Sequence, residues 1–258
     1  MLRGLYTAWT GMANEQKRLD VISNNMANSN TVGYKDEKVA SQAFDQVLGI
    51  KIRDGSQAYH NECIGSLSLG VKIGETYTDY SQGSVRQTGG TYDLALSGSG
   101  FFTVSVADKA GEVHTRYTRD GRFHLTKDGL LEDADGNAVQ GQNGNITIDP
   151  SSKNVSISAT GQITADGELV DTLNIVDFED YDYLKKYGDT MYEPVDGATT
   201  KDAEGEILQG YTEQSNVNVV REMVDMITIT RAYEASQKVI HSYDSMLDKS
   251  VNQVGALK

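Results

Sequence analysis

The sequence predicts an α+β protein, with a long amphipathic helix of coiled-coil type at each end and a β-rich domain between them. Three observations lead there. Of its 26 glycines, 23 fall between Gly33 and Gly210, as do both prolines, Pro150 and Pro194, whereas residues 216–254 contain neither. The 258 residues carry a net charge of −14, yet residues 36–215 alone carry −16, so both ends are nearly neutral. Each end also repeats apolar residues at alternating steps of three and four, the period of a helix that buries one face.

Residues 1–30 form the first predicted helix. Its stripe runs Leu2, Leu5, Trp9, Met12, Leu19 and Met26, widened by Ile22 and interrupted by polar Gln16 and Ser23. Behind it stands "VISNNMANSNTVGYK", with Asn24, Asn25, Asn28 and Asn30 followed by Gly33 and Tyr34. Asparagine side chains compete with the helix for backbone hydrogen bonds, and both Asn and Gly tolerate the left-handed conformation needed to turn. A generic helix stop needs only one such residue. The cluster is therefore expected to be a joint that ends the helix and redirects the chain.

Residues 31–80 have weak periodicity and read as an extended linker or arm, with a helical start at 39–49. Residues 81–210 read as the β body. Phe102, Val104 and Val106 alternate, and turn signals recur at Asp120-Gly121, Asp128-Gly129, Asp135-Gly136 and Asn143-Gly144, each leaving room for a short strand. Asp166-Gly167 marks a further hairpin. Residues 216–258 form the second helix, with Asn218 as its N-cap and Glu222 and Asp225 suited to the positive end of the helix dipole. Its stripe includes Val219, Met223, Met226, Thr230, Tyr233, Gln237, Ile240, Asp244, Leu247 and Val251, with Val220, Val224, Ile227, Tyr243 and Met246 along a second edge. At 1.5 Å per residue the two helices are roughly 40 and 55 Å long. Helices this amphipathic must pack on each other or on neighbouring molecules.

Candidate chemistry is sparse. Asp133, Asp135 and Asn137 take the first positions of a calcium loop, but Ala138 and Gly144 stand where a glycine and a bidentate glutamate are needed. The four histidines lack metal-ligand spacing, and the single cysteine, Cys63, excludes an intramolecular disulfide. Gly98 and Gly100 lack the third glycine of a dinucleotide loop. The acidic balance excludes nucleic acid as a partner. No catalytic residue, metal, cofactor or small-molecule substrate is expected. There is no apolar run of about 20 residues to span a bilayer and no signal-peptide pattern, so departure from the cytoplasm would need a different exporter.

Three blocks resemble the axial proteins of the bacterial flagellum, and among them the basal-body rod proteins. They are "DVISNNMANSNTVGYK", "SGSGFFTV" with "YTRDGRFHLTKDGLLEDADG", and "SNVNVVREMVDMITITRAYEASQKVIHSYDSMLDKSVN". The resemblance implies a discontinuous coiled-coil domain made from both termini, plus a β-rich domain from the middle. It implies export through the flagellar type III apparatus without a cleaved signal peptide, and location in the basal body outside the cytoplasmic membrane. It further implies helical self-assembly, with neighbouring rod and hook proteins, into a hollow shaft that carries torque from motor to hook. Proximal and distal rod subunits both fit, and a hook-type or other tube protein with the same helices stays open.

Overall fold

The computed structural model describes residues 2–51, 62–107 and 112–254, without the side chains of 2–3, 49–51, 62–64 and 253–254. The chain folds into two compact units. The first comprises Met1–Met26, Glu37–Thr78 and Val219–Lys258; the second comprises Ala27–Asp36 and Asp79–Asn218. The chain thus passes between units at 26–27, 36–37, 78–79 and 218–219.

The first unit holds helix α1 (Leu2–Ala27), helix α2 (Val219–Lys249) and four strands: β1 (Asp36–Ala43), β2 (Val47–Lys51), β3 (Glu62–Leu67) and β4 (Val71–Asp79). α2 begins one residue after Asn218. β1 pairs with β4, and β2 with β3 in an antiparallel hairpin. The helical start expected at 39–49 is instead strand. Val39 and Val47 are β-branched, and the segment finds its hydrogen-bond partners in the later strands β4 and β3, which outweighs weak local periodicity. β1 runs back along α1. Asn25 bonds Glu37, and Asn14 accepts a hydrogen bond from the Ser41 hydroxyl at 3.1 Å. Eleven residues of helix and four of strand span roughly 16 and 13 Å, so the two elements stay in step.

The second unit is an antiparallel β body. Strand Phe101–Ala107 lies at its centre. One edge pairs with Val113–Thr118; the other pairs with Ile175–Phe178 at its start and Ala138–Gly141 further on. Phe102, Val104 and Val106 enter the larger core with Leu131, Val139, Ile146 and Ile163. Phe101 points to the opposite face and a smaller core with Phe178, Leu184 and Tyr192. Its ring meets those of Tyr192 and Phe178 edge-on at 5.5 and 6.1 Å, the favourable aromatic geometry. Both faces of the strand are covered.

The Asp-Gly turns differ in cause. Asp166 and Gly167 have φ of 50° and 94° at the tip of the Gln162–Ala165 and Glu168–Thr172 hairpin, as a type I′ turn requires. Gly121 does not adopt a positive φ; a side chain there would collide with the carbonyl of Leu94.

Asp177 is fully buried, accepting hydrogen bonds from the Tyr181 hydroxyl at 2.8 Å and the Phe178 amide at 2.9 Å, with Lys201 at 3.1 Å. Burial alone would raise its pKa, but Tyr181, Ser99, Lys201 and the Phe178 amide outweigh it and hold the carboxyl below its ordinary range. Tyr181 is pushed up to about 12 by burial and by Asp177. A carboxyl with a lowered folded pKa contributes stability that is present above the unfolded value and lost as pH falls through the folded one. Asp177→Asn is therefore expected to lower the body's stability at neutral pH and to soften its decline below about pH 4. Denaturant midpoints across that range would show it; an acid limb as steep as the parent's would assign the decline to other carboxylates.

Candidate assembly site

The four asparagines divide between the units. Asn24 and Asn25 end α1 in the first, and Asn28 and Asn30 belong to the second. Asn25 is buried to 1% exposure. Its amide nitrogen donates to the Glu37 carbonyl at 2.8 Å, and its amide oxygen accepts the Glu37 N–H at 3.1 Å. One side chain thereby satisfies both backbone groups of the residue at which the chain returns to the helical unit. The same nitrogen lies 3.4 Å from the carboxylate of Glu222, itself buried in the first turn of α2. Asparagine suits this position because its amide carries both a donor and an acceptor. Three of the unit's chain ends are tied together by it.

The second unit ties its own ends separately. Asn28 shapes a turn, its carbonyl accepting from the Thr31 amide and its side chain from the Thr31 hydroxyl; Asn24 and Asn30 are exposed. Gly33 has φ +72° and donates its N–H to the Glu213 carbonyl at 2.9 Å; a Cβ there would collide with the backbone of Asp120. Tyr34 is fully buried, with the Lys186 ammonium 4.1 Å from its ring centre. Next to it, Lys35 is buried and donates to Glu213 at 2.6 Å and to the Ser81 carbonyl at 2.8 Å. Glu213 also accepts from Arg119 at 3.4 Å and from the Gly83 amide at 2.8 Å. Burial depresses the Lys35 pKa, against the pull of Glu213, which raises it. Asn216 accepts the Asp36 N–H and donates to the Asp79 carbonyl, both at 2.8 Å. Nothing in the linear sequence marks Glu213 as the partner of Lys35 and Arg119, or Asn216 as that of Asp36, since each pair is separated by more than ninety residues.

The helices of the first unit run antiparallel in a sevenfold register. Gly4 lies under the hydroxyl and ring of Tyr243, Gly11 faces the Ser236 hydroxyl, and Asn25 lies beside Glu222. Each step of seven along α1 is matched by seven backwards along α2. The positions of α2 that are not exposed are Val219, Glu222, Met226, Ile229, Tyr233, Ser236, Ile240, Tyr243 and Leu247. The heptad stripe of the sequence coincides with one of these two lines, through Val219, Met226, Tyr233, Ile240 and Leu247. Its other line, Met223, Thr230, Gln237 and Asp244, lies one residue away from the buried one. Met223 and Ile227 are 49% and 55% exposed and Val251 69%. On α1, Leu5, Met12, Leu19, Ile22 and Met26 are half-buried and Trp9 is 56% exposed. Leu2 lies in the helix, with its side chain outside the described residues.

Sites for other chemistry are filled by the fold itself. The Asp133 carboxylate accepts hydrogen bonds from the amides of Asp135 and Asn137 and from the Asn137 side chain, and so caps its own turn. Among the described residues no group of three or more His, Cys, Asp or Glu side chains could hold a metal ion. His114 and His124 pair with Val106 and Glu132 on separate strands. Cys63 lies in β3, with its side chain outside the described residues, as does all of His60. Among the described residues no helix is long and apolar enough to cross a membrane.

Long helices from both chain ends, a β body inserted between them and an Asn-rich stretch after the first helix are the architecture of an axial structural protein. The chain belongs to the flagellar basal-body rod protein family. Residues 5–35 match the profile "Flagella basal body rod protein", 95–165 "Flagellar hook protein FlgE/F/G D1 domain", and 208–254 "Flagellar basal body rod FlgEFG protein C-terminal". The chain is similar to the flagellar basal-body rod protein FlgG of Bacillus subtilis, with 34% identity over 98% of this chain and 99% of the relative. It is 36% identical to FlgG of Caulobacter vibrioides over 95% of this chain and 97% of the relative. It is also 31% identical over the full length of both chains to FlgF of the same species. The family is structural, and this chain is a structural subunit of the flagellar basal body.

Proposed function

We propose that the chain polymerises helically through its helical unit into the hollow rod that carries torque from motor to hook. One observation carries this reading. The helical unit retains exposed apolar side chains along both helices and β1–β4, including Tyr6, Trp9, Leu48, Tyr77, Val220, Val224 and Ile227. The body exposes fewer, among them Val113 and Leu169, and encloses two apolar cores. Exposed apolar area of this kind marks a contact surface. In this reading α1 and α2 form a discontinuous coiled coil, the stretch from Asn24 to Tyr34 forms the joint, and the acidic bodies keep the polymer solvated. Its partners are further copies, neighbouring rod and hook proteins and the flagellar type III apparatus, which exports it without a cleaved signal peptide. Catalysis and small-molecule binding form no part of the role.

The test is immunogold electron microscopy of isolated hook–basal bodies carrying an epitope in the exposed Asp166-Gly167 turn. Label confined to the rod is expected, and its distance from the hook distinguishes proximal from distal subunits. Label along the hook would favour a hook-type protein; intact, unlabelled rods would overturn the assignment.

A further inference from the structure

Two apolar features on the surface of the helical unit differ in shape. The first is a ridge on the first two turns of α2: Val220, Met223, Val224 and Ile227 are 49–73% exposed. They project away from the line through Glu222, Met226 and Ile229 that faces inward. The second is a groove of about 370 Å³ beside α1, walled by Trp9, Ala13, Phe44, Val71 and Ile73, with Lys17 and Asp20 at its far end. We propose that the α2 ridge of one copy docks into the α1 groove of the next, and that this is an axial contact of the polymer. The proposal rests on the rod reading and names the surfaces through which it works.

Three features favour a second copy as the occupant. A ridge at i, i+3, i+4 and i+7 is the pattern by which a helix anchors in a groove. Ridge and groove are different patches of one unit, so joining them makes a head-to-tail contact, which extends into a filament unless its rotation happens to close a ring. Their charges also correspond. Beyond the ridge, exposed Arg231 follows Val224 by one heptad, and on α1 Asp20 follows Ala13 by one heptad. Both steps cover roughly 10 Å of helix. Parallel docking that seats Val224 over Ala13 therefore brings Arg231 to Asp20. It also covers Trp9, the only tryptophan in the chain.

The test uses the full-length chain, with Cys63→Ser, Lys17→Cys and Ile227→Cys, in isolated hook–basal bodies oxidised and run without reductant. A ladder at multiples of this chain's mass is expected, absent from either single-cysteine variant. A cross-linked species of another mass would assign the groove to a different protein, and rods that contain the variant without any ladder would separate the two surfaces; either result overturns the pairing while leaving the rod reading intact. Should the double-cysteine chain fail to enter rods, a charge exchange decides. Asp20→Arg and Arg231→Asp should each reduce incorporation, and the two together should restore it. No restoration overturns the proposal, and absence of the parent chain from basal bodies removes the rod reading itself.

Discussion

Glu213→Gln is expected to destabilise the β body by about 3–5 kcal/mol, the usual cost of leaving buried charge uncompensated. Glu213 is fully buried between Lys35 at 2.6 Å and Arg119 at 3.4 Å. Removing its charge strands two cations, whereas Lys35→Met leaves Glu213 with Arg119 and the Gly83 amide. The second variant should thus be less damaging, and Glu213→Gln with Lys35→Met should recover part of the loss. Trp9 sits in the helical unit, so the body's unfolding must be followed through tyrosine signals in a urea titration. Equal losses for the two single variants would mean that the network contributes only through packing.

Asn25→Leu is expected to be the most damaging change in the Asn-rich joint, at roughly 2–5 kcal/mol. It removes both hydrogen bonds that Asn25 makes to the half-buried backbone of Glu37, each costing about 1–3 kcal/mol where water does not replace it. Asn25→Asp should fail as well, because a carboxylate cannot donate to the Glu37 carbonyl and would face Glu222. Asn28→Leu loses the bond to the Thr31 hydroxyl and should cost about 1 kcal/mol, while exposed Asn30→Ala should stay within about 0.5 kcal/mol. The exchange rate of the Glu37 amide reports directly on the clamp. Protection in Asn25→Leu equal to the parent's would show that another group holds that backbone. The Asn25 variant should still be exported yet build few rods.

The sequence carried the α+β class, the Gly-rich turns and the inward alternation of Phe102, Val104 and Val106, because each depends on residues close together in the chain. The inner face of α2 was only half legible. A heptad can alternate as three-four or four-three from the same starting line, and apolarity favoured Met223 over Glu222. Glu222 is nevertheless the buried residue, partnered by Asn25 from the other end of the chain. β1 and β4 leave little trace in the sequence for a related reason. Their outward residues remain mostly exposed, so they show no clean two-residue alternation, and what fixes them is pairing across a long insertion. The Asn cluster stands out in the sequence, but only the fold separates Asn25, which clamps three segments, from exposed Asn24 and Asn30.

The antiparallel pairing of α1 with α2 has a consequence in time. The two helices are separated by about 190 residues of chain, and a ribosome adds roughly 5–20 residues per second. The first helix is therefore complete some 10–40 seconds before its partner exists. Throughout that interval Gly4, Gly11 and the inner face around them have no α2 to cover them. The earliest segment made is thus the last to find its place, and for that period it is available to whatever else in the cell recognises an apolar helix.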